Sequence, residues 1–271
     1  MPLPSAPAFP LTKVSRLLVR AAEECILPLH RSAGLEVSLK SDQSVLTQAD
    51  LACSRFLERE LVALLPGSVV ISEELPASHE LEAELAWIID PLDGTRTFSL
   101  GGVLFAVMVA LAYRGQVAAA WIYRPARRSL LTFDGHVTRL DGRRILYSPS
   151  DLSWIGTIQA EHTPLVYPLS GREHKRVNLH SVANVESFRL ALELSEFFAT
   201  DYVTPWDTAA PVGIHLGMGG VVAYADGRPY DLGRTQHPLI FAKDQAQWDQ
   251  VATLVKQLFG HGDAGQKSAG G

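Results

Sequence analysis

Ala86-Trp87-Ile88-Ile89-Asp90-Pro91-Leu92-Asp93-Gly94-Thr95 is the stretch on which the reading of this chain turns. Its first four residues are a continuous apolar run of the kind buried inside a sheet. Proline has no N–H to give to a ladder, so the strand is expected to finish at Asp90-Pro91. Two aspartates three apart then share a tight turn, with the Leu92 carbonyl between them. An isolated Asp-Gly is a turn and nothing more. Placed directly after a buried strand, the six residues form a set of hard oxygen donors aimed at one pair of metal ions, the ligands Mg2+ prefers. Gly94 permits close backbone approach, and the N–H groups after it can cradle a phosphate. Thr95 adds a hydroxyl able to position or deprotonate a water.

Upstream, Leu11, Val14, Leu18, Ala21, Cys25 and Leu29 recur at spacings of three and four, predicting one buried helical stripe from Leu11 to His30. A second helix is expected from about Ala49 to Leu65, stopped by Pro66-Gly67. Lys40 to Gln43 reads as a polar connector, and Val69-Val70-Ile71 as a strand ending in Ser72-Glu73-Glu74. Downstream, Val103–Tyr113, Val117–Tyr123 and Ser129–Phe133 read as an antiparallel meander with turns at Arg114-Gly115 and Pro125–Arg128. Asn184–Phe198 reads as a helix, Tyr202-Val203 as a strand, and a further helix runs from Asp207 to about Leu216. Val221–Tyr224 is a strand, and Gln245–Phe259 the last helix. Helices inserted between strands imply an α/β sandwich of several layers. The expected division is an N-terminal half, 1–143, carrying most metal ligands, a C-terminal half, 144–262, and a disordered Gly-rich tail, 263–271.

Three acidic groups fall where strands end or helices begin: Glu73-Glu74, Asp90 with Asp93, and Asp207. If they converge, the carboxylates repel one another unless divalent cations neutralise them. Asp207 precedes Thr208-Ala209-Ala210 and is also a good helix N-cap, with Pro211 in the first turn. Capping and metal binding are compatible, because a carboxylate has two oxygens.

Bulk properties exclude several classes. The 271 residues are 47% hydrophobic and 20% charged, as in an ordinary globular protein. A formal net charge of −5 gives no basic footprint for a nucleic-acid polymer. Met1–Pro10 lacks the charged and apolar regions of a signal peptide, and no apolar run approaches the roughly 20 residues of a membrane span. A cytoplasmic location without membrane partners is expected. The two cysteines, Cys25 and Cys53, are read as buried free thiols. Nine histidines show no zinc-protease spacing, and Gly217-Met218-Gly219-Gly220 lacks that of a dinucleotide fingerprint. Trp87 and Trp121 lie in apolar runs and are read as core rather than as a carbohydrate platform.

Four motifs in order now carry a resemblance. Thr47-Gln48-Ala49-Asp50, Ser72-Glu73-Glu74, Asp90–Thr95 and Trp206-Asp207-Thr208-Ala209-Ala210 resemble the inositol monophosphatase superfamily of Mg2+-dependent, lithium-sensitive phosphatases, over about Lys40 to Val255. The resemblance implies a layered α-β-α-β-α sandwich with mixed, largely antiparallel sheets. It implies that Glu73, Asp90, the Leu92 carbonyl, Asp93 and Asp207 bind two or three Mg2+ ions, with Glu73 also in the catalytic set. Asp50 and Thr95 would together activate the attacking water, and the Gly94 and Thr95 backbone would hold the phosphate. The partner so implied is a small phosphorylated metabolite, and the family often forms homodimers.

The chain departs from the family pattern at three places. Arg96-Thr97-Phe98 stands where relatives carry Asn-Phe or Glu-Phe, Asn184-Val185-Glu186-Ser187 where a Gly-Ser-Ala type sequence begins a helix, and Leu216-Gly217-Met218 where Glu-Ala-Gly is common. The substrate is therefore left open. Ser72-Glu73-Glu74, Trp206–Ala210 and Asp226-Gly227-Arg228-Pro229 lean toward 3',5'-bisphosphate nucleotidases, whereas Asp-Gly-Thr-Arg with Phe98 leans toward histidinol-phosphate phosphatases or other sugar phosphatases. The basic group Arg172, His174, Lys175 and Arg176 is a solvated loop or the receptor of a second phosphate. A catalytically silent metal-binding or ligand-binding relative is the alternative from another class.

Overall fold

In the computed structural model the described residues are 10–75, 83–148, 155–160, 163–168, 183–192, 194–195, 197–234 and 237–259. Helix α1 (Leu11–Ala21) continues through a π-helical turn at Ala22–Ile26 and packs beside α2 (Gln48–Leu64). Between them, β1 (Val37–Leu39) and β2 (Val45–Thr47) form a small antiparallel hairpin. The next strands are β3 (Val69–Ser72), β4 (Leu85–Asp93), β5 (Ala106–Tyr113), β6 (Gln116–Arg124), β7 (Ser129–Phe133), β8 (Thr138–Leu140) and β9 (Arg143–Ile145), with the short α3 (Thr95–Ser99) after β4. They form one seven-stranded sheet in chain order, antiparallel except for the β3–β4 pair. A second sheet has the order β11 (Thr163–Pro168), β10 (Ile155–Ala160), β12 (Phe197–Thr200), β14 (Leu239–Ala242), β13 (Val221–Tyr224). Helix α4 (Ala183–Ala191) precedes β12, α5 (Pro205–Gly217) follows it, and α6 (Gln245–Phe259) comes last.

Side-chain alternation along the strands explains the layers. Trp87, Ile89, Val109 and Trp121 face one way and pack on Leu18, Phe56 and Leu57 of α1 and α2. Ile88, Met108 and Ile122 face the other way, onto Phe188 of α4 and Ile214 of α5, which also cover Phe198 and Phe241 of the second sheet. Helix α6 closes the far side with Trp248, Val251 and Val255 on Phe197 and Ile240. The result is the expected α-β-α-β-α sandwich. Trp87 and Trp121 are fully buried neighbours, as core residues should be.

Helix α5 lies unusually close to the first sheet. A Cβ at Gly217 would sit 2.4 Å from Thr138 Oγ1 and 2.5 Å from Phe133 Cδ2. Ala106, Ala110 and Ala120 keep the facing strands equally bare. That close seating carries the first turn of α5, and Asp207 with it, to the end of the sheet where β4 finishes.

Several elements differ from the sequence reading. Strand β4 does not stop at Pro91 but runs on to Asp93. Its register against β5 shifts between Asp90↔Met108 and Asp93↔Ala106, so one extra residue is accommodated there as a bulge. A bulge tolerates the missing proline N–H. The helix expected over Asn184–Phe198 ends at Ala191, and Phe197-Phe198 belong to β12, where their alternate burial in two cores fits a period of two. Tyr202-Val203 is not a strand. Cys53 is buried but Cys25 only half-buried, and both are free. The basic group at residues 172–176 and the tail lie outside the described residues. Among the described residues no helix is long and apolar enough to cross a membrane.

Candidate metal centre and active site

In a regular strand, residues three apart point to opposite faces. Asp90 and Asp93 would then be separated by the sheet. The bulge cancels that: Leu92 joins the outer core with Trp87 and Ile89, while Asp93 returns to the inner face beside α4. Asp90, Asp93 and Asp207 each bring a carboxylate oxygen to within 4.8 Å of the others. Asp90 and Asp93 are only 1% and 6% exposed.

Each carboxylate is held by a defined donor. Leu92 N–H donates to Asp90 Oδ1 at 3.0 Å. Asp93 Oδ2 accepts from both the backbone N–H and the Nδ2 of Asn184, each at 2.7 Å. Asp207 was expected to cap its helix, but Thr204 is the N-cap and Asp207 stands three residues into α5, its Oδ2 accepting from Thr204 Oγ1. The same Thr-x-x-Asp box opens α2, where the Thr47 backbone N–H and hydroxyl both donate to Asp50 Oδ2. The other oxygen of Asp50 accepts the Thr95 hydroxyl at 2.8 Å, and the Leu92 carbonyl is an equally close acceptor for it. One hydroxyl proton serves only one of the two at a time.

Glu73 follows β3, and its negative charge is felt at Asp90, Asp93 and Asp207, but its carboxylate is engaged by Lys40 Nζ at 2.7 Å. The same ammonium reaches Glu74 Oε1 at 2.7 Å. Lys40 thus does more than the polar connector its sequence suggests. Burial pulls its ammonium down, yet the two glutamates outweigh burial and hold it above the usual lysine range.

Burial and mutual repulsion make the cluster unfavourable as bare anions. Burial, then the charges of Glu73, Asp93 and Asp207, hold the Asp90 carboxyl well above its ordinary range. Burial lifts Asp93 to about 6, against the Asn184 bonds, and burial with Asp93 and Glu73 lifts Asp207 to about 8. An all-oxygen donor set that resists ionisation when empty of cations fits a hard divalent ion. Both values exceed the unfolded-state aspartate value of about 3.9. The folded chain therefore holds extra protons between about pH 4 and 8, and its stability without divalent ions falls as pH rises through that window. Melting curves with a chelator at pH 5, 6.5 and 8 check this, and saturating Mg2+ is expected to flatten the trend.

Gly94 adopts φ +86°, and a Cβ there would sit 2.5 Å from the Leu104 carbonyl oxygen. Left-handed backbone and overlap with main chain both oppose a side chain. Gly94→Ala is expected to cost about 3 kcal/mol, lowering the melting temperature by roughly 6–12 °C in a calorimetric scan. Thr95 follows at the start of α3. Asn184, noted from the sequence only as a departure, turns out to hold Asp93. Asp226 of the Asp226–Pro229 feature is bonded by Arg228 and Arg234 and braces a turn.

Comparison with known proteins gives the family. The model of the family described as inositol monophosphatase matches residues 9–258. An inositol-1-monophosphatase of Mesorhizobium japonicum is 32% identical over 233 residues, 78% of this chain and 85% of that protein. Vibrio cholerae Nus factor SuhB is 27% identical over 228 residues, 78% of this chain and 84% of that protein. A solved structure of an IMPase/NADP phosphatase, complexed with Mg2+ and phosphate, superposes with a TM-score of 0.74 at 18% identity, covering 90% of this chain and 95% of that one. The chain belongs to the inositol monophosphatase family and is a phosphoric monoester hydrolase.

Proposed function

We propose that this protein hydrolyses the phosphate monoester of a small metabolite in a Mg2+-dependent reaction, with water as the nucleophile. The observation that carries the reading is the convergence of Asp90, Asp93 and Asp207 beside a hydrogen-bonded Asp50–Thr95 pair. Asp90, the Leu92 carbonyl, Asp93 and Asp207 would hold Mg2+, and Glu73 would join them when it leaves Lys40. Bound there, two such ions would acidify a water and neutralise charge on the leaving oxygen.

The chain's own residues do the rest. With its proton given to Asp50, Thr95 Oγ turns a lone pair outward and can accept from a water. That water is thereby held in one orientation, and its proton has a route through Thr95 to Asp50. Asp50 accepts it readily, because burial already raises its carboxyl above the ordinary range. The proton arrangement that serves the water also frees the Leu92 carbonyl for a cation. The Gly94 and Thr95 N–H groups would receive the phosphate oxygens. That a structural neighbour is complexed with Mg2+ and phosphate supports a place for both in a protein of this fold. An intact Asp50–Thr95 pair supports turnover rather than a silent ligand-binding role.

Hydrolysis in 18O-water tests the reading. One labelled oxygen is expected in each phosphate released, without any phosphorylated protein. A trapped covalent phosphoprotein would contradict it.

A further inference from the structure

Half-buried arginines in this fold are generally matched to a carboxylate: Arg139 to Asp134, Arg189 to Glu186 and Arg234 to Asp226. Arg124 breaks that pattern. It ends β6, its Nε is buried with no hydrogen-bond partner, and among the described residues no carboxylate is paired with it. Its guanidinium lies over the Phe188 ring, 4.8 Å from the centroid. Arg127, two residues beyond Pro125 on the following turn, adds a second positive charge rather than a negative one. Packing against a ring explains where the Arg124 stem rests. It does not explain why the half-buried guanidinium of Arg124 has no acid beside it, while the exposed Arg127 adds a like charge at its edge.

Their place in the sheet gives the anion a role. Asp93 pairs with Ala106, and the next register, Val107↔Tyr123, puts Arg124 in line with Ala106. Arg124 thus ends the second strand along from Asp93, about 10 Å across the sheet at ordinary strand spacing. Alternation from Ile122 sets it on the inner face, the face of Asp93, and α4 links the two: Asn184 holds Asp93 and Phe188 backs Arg124.

We infer that Arg124 and Arg127 form the receptor for a second anionic group, a phosphate or carboxylate, on the same ester whose phosphate lies at the carboxylate cluster. The inference rests on the proposed phosphatase reading and adds a substrate class to it: metabolites with two anionic groups within about 10 Å of one another. A guanidinium fork matches such oxyanions, and Phe188 fixes its plane.

The test compares wild type, Arg124→Gln and Arg124→Lys on two probes. Fructose 1,6-bisphosphate carries two phosphates separated by a sugar, and inositol 1-phosphate carries one. Calorimetric binding in Mg2+ and steady-state kinetics are both measured. In wild type the bisphosphate is expected to bind more tightly. In Arg124→Gln the ratio of the two affinities is expected to fall about 10- to 100-fold, through KM rather than kcat, with partial recovery in Arg124→Lys. Equal losses for both probes, an unchanged ratio, or no binding of the bisphosphate by wild type would overturn the inference. Arg124-dependent binding without turnover of either probe would uphold the subsite and contradict the hydrolysis reading instead.

Discussion

Asp90→Asn is expected to lower Mg2+-dependent phosphate release by at least about 10^3-fold while leaving the melting temperature of the metal-free protein no lower than in wild type. The two results belong together. Asp90 is 1% exposed, and its Oδ1 accepts the Leu92 N–H, a bond an asparagine oxygen keeps. What the substitution removes is a carboxyl that burial and three neighbouring negative charges already oppose. Without cations its loss relieves repulsion; with cations it removes a ligand. An ion binding only the folded state stabilises it by about 2.7 kcal/mol at 100 times its dissociation constant, or roughly 5–10 °C here. That Mg2+-induced gain is expected to vanish in the variant. A buried polar residue of purely structural importance would behave oppositely, lowering the metal-free melting temperature.

Thr95→Val is the second large effect. Valine has nearly the shape of threonine but cannot donate to Asp50 at 2.8 Å or accept from a water. The value of kcat is expected to fall about 10^2- to 10^3-fold, with the Mg2+ concentration for half-maximal stabilisation unchanged. Thr95→Ser should retain most activity. Because Asp50 and Thr95 act on one proton, Asp50→Asn combined with Thr95→Val is expected to be no slower than the worse single variant. The singles differ in stability, since Asp50 also closes the capping box of α2 through Thr47 and Thr95 does not. A multiplicative loss in the double variant would mean that the two residues work separately.

That helices and sheets stack in several layers could be read from pattern, because periodicities of two and 3.6 report burial directly, whereas the roles of Asp50, Glu73, Leu92 and Thr95 rest on the family resemblance. The last helix, Gln245–Phe259, and the strand Val221–Tyr224 came out with the expected limits. What escaped reading has physical causes. The bulge that turns Asp93 to the face of Asp90 depends on a register with β5, a non-local pairing invisible in one strand. Phe197-Phe198 extended a helical pattern because a short apolar run fits either period. Lys40 meets Glu73 and Glu74 only through the fold of the β1–β2 hairpin. The sequence does carry one further signal: Thr47 and Thr204 each stand three residues before an aspartate, the spacing of a capping box. Read that way, Asp207 becomes an internal helix residue supported by Thr204 rather than the cap itself.

The most direct test of the central claim is phosphate release with and without Mg2+ from a panel holding inositol 1-phosphate, 3'-phosphoadenosine 5'-phosphate, histidinol phosphate and fructose 1,6-bisphosphate. The carboxylate cluster and the Asp50–Thr95 pair predict release that requires Mg2+, from at least one member, and stops when the ion is chelated. Release that persists undiminished with a chelator, or no release from any member with Mg2+ present, would contradict a Mg2+-dependent phosphatase acting on these esters.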